Sequence, residues 1–105
     1  MKVIRLTTRP RRIDEVLIVP GNTEEELHAL QSIIGGYIEC VRLTDDAAML
    51  VDEEGVLKGL QRNELASLIA HTHIVGTAVI VGIEHTEYGE IFTDCPAHIL
   101  ASLYA

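Results

Sequence analysis

The feature that most constrains the fold of this chain is an apolar stretch in its second half. Residues 74–83 read IVGTAVIVGI and show no alternation of apolar and polar side chains. A strand with apolar residues on both faces is covered on both sides, which places it inside a sheet rather than at its edge. The stretch therefore predicts a central β-strand, in which Gly76 and Gly82 allow a bulge or a close approach of another segment.

Four shorter segments rich in β-branched residues predict further strands. Turns that contain proline, glycine or acidic residues separate them, and they occupy residues 2–8, 13–19, 37–43 and 47–51. Strands joined by tight turns pair in antiparallel order, so we expect a largely antiparallel sheet. The polar residues 84–90, which follow the central strand, predict a loop.

Three segments carry the signals of helices. Residues 23–34 begin with a capping box in which Thr23 is the cap, and they end at Gly35-Gly36. Asn63 is a candidate cap for a short second helix that runs to residue 70. Thr93-Asp94 is the candidate start of a last helix, which has a proline in its first turn.

These elements together define the fold class. The length of 105 residues fits one domain, and we expect residues 1–105 to fold as a single α+β domain. The prediction is a small, mostly antiparallel sheet of about five strands, covered on at least one face by two or three helices.

The charge balance limits the partners that the protein can have. Sixteen acidic and eight basic residues give a formal net charge of −8. Non-specific nucleic-acid binding and docking on anionic membranes both need a cationic surface, so we expect neither. The expected partner is a small-molecule ligand or another protein. Five basic residues nevertheless form a local positive patch within the first twelve positions: Lys2, Arg5, Arg9, Arg11 and Arg12.

The sequence gives little sign of export. No apolar run approaches the roughly 18 residues that cross a bilayer, and the first residues lack the basic and apolar pattern of a secretory signal. Cys40 and Cys95 are the only cysteines. We therefore expect a cytoplasmic protein with reduced thiols.

Two short patterns contain candidate metal ligands, His71-x-His73 and Cys95-x-x-His98. Together they could form a tetrahedral zinc set, as in a metal-dependent enzyme. Their spacing matches no closed zinc module, and the alternative is two loop histidines, a small partly buried cysteine and a surface histidine. Cys95 beside His98 is also a conceivable nucleophile, but Asp94 opposes a lowered thiol pKa and no third group orients the pair. We expect no metal, no cofactor and no catalytic residue.

Glu39 is the acidic residue with the least expected position. It lies inside a predicted strand and shares a strand face with Tyr37, Val41 and Leu43. A carboxylate on so apolar a face needs a partner, or its pKa rises. The alternative is an outward-facing Glu39 on an exposed face of the sheet, because glutamate is rarely buried.

Several motifs occur in the order shown by a known family: Leu30-Gln31-x-x-Ile34-Gly35-Gly36-Tyr37-Ile38-Glu39, Val51-Asp52-Glu53-Glu54-Gly55, Leu60-x-x-Asn63, residues 74–82 and Phe92-Thr93-Asp94. On these motifs the chain resembles, over about its whole length, an uncharacterised family of bacteria, phages and mobile elements, domain of unknown function 3846. The resemblance implies that Tyr37, Glu39 and Asn63 are functional and that Gly35 and Gly36 are structural. It implies no particular activity.

The leading hypothesis is a non-enzymatic binding module of a phage or mobile element. It would sequester a small, nucleotide-like ligand or a host protein through a pocket lined by Tyr37, Glu39 and Asn63, and so counter a host defence. One alternative is an acidic decoy that occupies a DNA-binding protein, which the net charge motivates. The other is a metal-dependent enzyme. An exposed edge strand in so small a sheet would also allow a homodimer.

Overall fold

The computed structural model of the protein describes residues 1–104. It contains six strands and three helices, which follow one another along the chain as β1 Lys2–Thr8, β2 Arg11–Leu17, α1 Thr23–Ile34, β3 Ile38–Thr44, β4 Ala47–Asp52, α2 Glu64–Ala70, β5 Ala78–Thr86, β6 Gly89–Thr93 and α3 Ala97–Tyr104. No helix in this part of the chain is long and apolar enough to cross a membrane.

The strands form one antiparallel sheet, which confirms the α+β class. The strand order is β2-β1-β5-β4-β3, so the apolar stretch contributes the central strand as predicted, although β5 begins at Ala78 and residues 74–77 precede it. β5 pairs with β1 through Ile4 and Ile80 on one side, and with β4 through Met49 and Ile80 on the other. The first six residues of β5 are all buried, so both of its faces are covered there, which explains why they show no polar alternation.

Helices cover both faces of the sheet, and each face has its own aliphatic core. On one face α1 inserts Leu30 and Ile34 against the strands, and the buried residues there include Val3, Leu50 and Val81. On the other face α2 and α3 cover a second core, whose buried members are Ile4, Leu6, Met49, Val51, Ala66, Ile74, Ala78, Ile80 and Cys95. The sheet is therefore the middle layer of three.

The predicted loop at residues 84–90 is wrong. β5 continues to Thr86, turns through Glu87 and Tyr88, and returns as β6. β6 continues the line of β1 along the same edge of β5, and Cys95 N donates to Lys2 O at 2.8 Å where the two strands meet. This hairpin extends beyond the covered part of the sheet, so its side chains are mostly exposed and its sequence lacks a buried face.

Two predicted helix starts also need correction. The cap of α1 is Asn22 rather than Thr23, because Asn22 Oδ1 accepts from Glu25 N at 2.8 Å. Asp94 does not cap α3, since its Oδ1 accepts from Lys2 N at 2.8 Å and fixes the end of β1. The predicted ends and caps elsewhere are confirmed: Gly35 ends α1 with a left-handed φ of 93°, and Asn63 caps α2.

Candidate functional site

Basic side chains from distant parts of the sequence meet at one end of the sheet. Only part of the predicted positive patch lies here, because Lys2 begins β1 at the other end and Arg5 pairs with Asp14 in mid-strand. The rest, Arg9, Arg11 and Arg12, lies at the turn between β1 and β2, beside the segment that leads into α2. Arg9 Nε donates to Gln61 Oε1 at 2.6 Å across this junction. Arg62 follows directly, so the patch gains a cation that is about fifty residues away in sequence.

An open groove of about 610 Å³ lies at this end, between the start of β2 and α2. We call it the cationic groove, and its lining residues are Arg11, Arg62, Glu64, Leu65, Ser67, Leu68, His71 and Thr72. A smaller depression of about 210 Å³ adjoins it and shares Arg11, Arg62 and Glu64. Two guanidinium groups and an imidazole therefore border a continuous concave surface.

Arg62 is held in place by two neighbours. Its Nε donates to Glu64 Oε1 at 3.1 Å, and its Nη1 lies 2.5 Å from His73 Nδ1. A guanidinium can only donate, so Nδ1 of His73 is the acceptor in this contact. Arg11 has no ion pair within residues 1–104, so its charge is available to a ligand.

The wall of the groove is fixed by two buried polar side chains. Asn63 Nδ2 donates to Leu6 O at 3.0 Å and to Gly76 O at 2.9 Å, while its Oδ1 accepts from Ala66 N at 3.0 Å. Ser67 Oγ accepts from Ile74 N at 2.9 Å and donates to Ile74 O at 3.2 Å. These bonds tie α2 to β1 and to the segment before β5, and so set where Arg62 and His71 lie.

Asn63, a predicted ligand-binding residue, has its whole amide group engaged inside the protein. Its side chain makes three hydrogen bonds to backbone groups, and the residue is buried. It is placed beside the cationic groove but offers a ligand no side-chain atom. Its contribution to the site is to position α2.

Tyr37 and Glu39 lie elsewhere. Tyr37 is 67% exposed and borders a separate depression of about 370 Å³ with Gly36, Glu54 and Lys58. Glu39 is exposed on the edge strand β3, on the side where Val41 and Leu43 reach the second core. The structure therefore does not bring Tyr37, Glu39 and Asn63 into one pocket, and it agrees with the outward-facing alternative for Glu39.

The Gly-Gly-Tyr motif instead lies beside an ion pair between buried Asp52 and partly exposed Lys58. Asp52 Oδ2 accepts from Lys58 Nζ at 2.7 Å and Oδ1 accepts from Glu54 N at 2.9 Å, and the Asp52 side chain is only 2% exposed. The hydrogen bond from Lys58 lowers the pKa of Asp52, against the opposing effect of burial. A Cβ on Gly36 would come within 2.8 Å of Lys58 Nζ, so this glycine makes room for the pair.

The four candidate metal ligands are spread over three places. His71 lines the cationic groove and His73 contacts Arg62, whereas His98 Nε2 lies 3.0 Å from both Asp46 oxygens at the opposite end. Cys95 is buried in the second core, and burial raises the pKa of its thiol to about 11. Within residues 1–104 no group of three or more potential ligands could hold a metal ion.

The sequence predicted one part of the cationic groove and missed the rest. Arg11 belonged to the predicted positive patch and His71 was a candidate metal ligand, whereas the sequence predicted no role for Arg62 or Thr72. The available signal was the position of Arg62 next to the Asn63 cap, because a helix cap fixes the direction of its neighbours.

The fold and the groove define the class: a three-layer antiparallel α+β protein with a cationic groove at one end of its sheet. Residues 1–103 match the family described as Domain of unknown function (DUF3846). The chain belongs to this family, which confirms the resemblance drawn from its motifs. No curated protein and no solved structure matches it.

Proposed function

We propose that the protein is a binding module for a small phosphate-bearing ligand, which it holds in the cationic groove. The observation that carries the proposal is the placement of Arg11, Arg62 and His71 around one concave surface of an acidic protein. Guanidinium groups bind phosphate oxygens through paired, charge-assisted hydrogen bonds. A protein with net charge −8 otherwise repels anions, so local cations determine where one can bind.

The shape and the apolar lining support a nucleotide-like ligand over a bare anion. The groove volume of about 610 Å³ lies in the range of small-molecule sites. Leu65 and Leu68 line it beside the cations, and Leu68 is exposed. A base or a sugar could cover this apolar surface while its phosphate meets the guanidinium groups.

The biological setting that we propose is a phage or other mobile element. A small module that sequesters a nucleotide-like host molecule would blunt a defence that depends on it. Binding alone accounts for this role, so the proposal includes no chemical step. The two free cysteines support a reducing compartment, and we propose the cytoplasm as the place of action.

Isothermal titration calorimetry with inorganic phosphate, pyrophosphate, AMP and ATP tests the proposal. We expect at least one phosphate compound to bind, and Arg62→Gln to weaken it at least about tenfold, because one charge-assisted contact is worth about 1.5–3 kcal/mol. The matched control is Arg42→Gln, which removes the same charge from β3, where Arg42 pairs with Glu90 of β6. Equal losses in the two variants, or no binding by any compound, would contradict the proposal.

A further inference from the structure

The outer edge of β2 pairs with no strand of residues 1–104. The hydrogen bonds at the end of the β1–β2 ladder show which residues of β2 point their N–H and C=O groups toward β1. There Ile18 N donates to Met1 O at 2.8 Å and Met1 N donates to Ile18 O at 2.9 Å. Hydrogen-bonded pairs recur at every second residue of an antiparallel ladder, so the even-numbered residues of β2 face β1. The odd-numbered residues Arg11, Ile13 and Glu15 therefore point their N–H and C=O groups outward.

Each charged side chain of residues 11–15 has a residue of opposite charge at the same distance on the other side of Ile13. Residues 11–15 read Arg-Arg-Ile-Asp-Glu, so the sign of the charge reverses about Ile13. We propose that two copies of the chain associate by antiparallel pairing of their β2 strands about a two-fold axis at Ile13. Such an interface is isologous, because each copy uses the same surface.

Backbone and side-chain complementarity coincide in this register. Ile13 meets Ile13 of the second copy as a hydrogen-bonded pair, and Arg11 meets Glu15 of the second copy in the next hydrogen-bonded pairs. Arg12 and Asp14 of the second copy lie opposite each other in the closer, non-hydrogen-bonded pairs, about 4.5 Å apart at Cα. The pairing therefore joins the outward backbone groups and sets four pairs of opposite charges face to face.

The neighbouring registers are unfavourable. Outward N–H and C=O groups of the two copies meet only when odd-numbered residues lie opposite odd-numbered residues. The two-fold axis must therefore pass through a residue and not between two residues. An axis at Arg12 places two arginines opposite each other, and an axis at Asp14 or Glu15 places two carboxylates opposite each other. Like charges directly across a strand pair repel, so the register centred on Ile13 is selected.

The other long edge of the sheet lacks this property. Glu53 N donates to Tyr37 O at 3.0 Å, which makes these residues a hydrogen-bonded pair and leaves the outward groups on Ile38, Cys40 and Arg42. The only opposite charges on β3 are Glu39 and Arg42. The backbone groups of Glu39 face β4 and those of Arg42 face outward, so these two residues cannot lie opposite each other in a strand pair between two copies. No allowed register of β3 with itself therefore pairs opposite charges, which singles out β2.

Exposed apolar residues continue the β2 edge. Leu17, the last residue of β2, is 75% exposed and Val19 beyond it is 82% exposed, whereas the other apolar residues of the strand are partly buried. In the proposed register Leu17 lies opposite Arg9 of the second copy, beyond the charged pairs. The β1–β2 turn of the second copy would cover part of this exposed apolar surface.

Arg11 takes part in both proposals, because it lines the cationic groove and faces Glu15 of the second copy. A phosphate ligand and that carboxylate would attract the same guanidinium group. Association is therefore measured in phosphate-free buffer without ligand. The dimer depends on the β2 edge alone, so its absence and the absence of ligand binding are separate results.

Sedimentation velocity on charge-exchanged variants tests the dimer. The wild-type protein is expected to associate as its concentration rises from micromolar to sub-millimolar. Arg11→Glu and Glu15→Arg each set like charges across the axis, and each alone is expected to weaken association at least about tenfold. An equimolar mixture of the two variants restores every opposite pair, and so does the chain that carries both substitutions.

Recovery in the mixture separates pairing from loss of fold, which circular dichroism checks for each variant. A second readout is amide hydrogen exchange, in which the outward amides of Ile13 and Glu15 gain protection with concentration in the wild-type chain but not in Arg11→Glu. A monomeric wild-type protein at sub-millimolar concentration would overturn the proposal. So would a mixture that associates no better than its separate components.

Discussion

At the scale of single residues, several residues on which the family resemblance rests make their contacts within their own chain. Asn63 joins three backbone groups of α2, β1 and the segment before β5, and Asp52 holds Lys58 and the amide of Glu54. Gly36 leaves space for the Asp52–Lys58 pair. A residue that a family motif contains can therefore serve the scaffold of a site without touching a ligand.

Asn63→Ala tests this role for the amide. The substitution leaves two carbonyl oxygens and one N–H without their partner in a buried place, so we expect the free energy of unfolding to fall by about 2–4 kcal/mol. The matched control is Asn22→Ala, which removes only the exposed cap of α1 and is expected to cost about 1 kcal/mol. Chemical denaturation measures both, and equal costs would contradict the structural role.

Asp52 predicts a specific dependence of stability on pH. Its pKa is lowered in the folded protein, so its ion pair stabilises the fold above the ordinary carboxyl pKa of about 4 and is lost as the pH falls through the lowered value. Asp52→Asn is therefore expected to be less stable than the wild type at neutral pH, with a difference that shrinks in acid. Denaturation at a series of pH values measures this, and a constant difference would refute it.

At the scale of elements, the sequence predicts the helices and strands that have a buried face and misses the strand that has none. The central strand and the three helices follow from apolar periodicity and caps, which are consequences of packing. β6 was missed because Glu84, His85 and Glu90 are exposed in a hairpin with no covered face. The predicted helix caps, Thr23 and Asp94, were wrong by one or two positions, because several neighbouring polar residues could serve as the cap of each helix.

Gly82 tests the connection between β6 and α3. A Cβ at this position would overlap the carbonyl oxygen of Asp94, so we expect Gly82→Ala to lower the free energy of unfolding by about 2 kcal/mol or more. The control is Gly59→Ala, where no atom lies within 4 Å and only the left-handed φ of 68° is strained, at about 1 kcal/mol. If Gly59→Ala is the more damaging change, the close approach is not what requires glycine at 82.

At the scale of the whole molecule, arginines from distant parts of the sequence gather at one end of the sheet. Arg9, Arg11, Arg12 and Arg62 lie at the end where β1 finishes and β5 begins. Acidic residues occur at both ends: around the β5–β6 hairpin and the β3–β4 turn, and where β4 finishes, at Asp52, Glu53 and Glu54. The sequence could predict the excess of acid and the basic run, but not that Arg62 and His71 would join it, because folding alone brings them together.

This local cluster of arginines on an acidic protein predicts that the protein distinguishes small anions from long ones. A labelled nucleotide is expected to bind, whereas a labelled DNA duplex is expected not to bind at physiological salt, because its phosphates would extend past the cationic end of a protein with net charge −8. Fluorescence anisotropy measures both in one buffer. Comparable affinity for the duplex and the nucleotide would contradict the account.

The most direct test of the central claim is a map of where a phosphate compound binds. Pyrophosphate is titrated into isotopically labelled protein while the chemical shift of each backbone amide is followed. We predict that the largest changes fall on Arg11, Arg62, His71 and Thr72, and that Arg62→Gln makes them much smaller at the same pyrophosphate concentration. Changes centred on Gly36, Tyr37 and Lys58, or a spectrum that pyrophosphate leaves unaltered, would contradict the assignment of the site to the cationic groove.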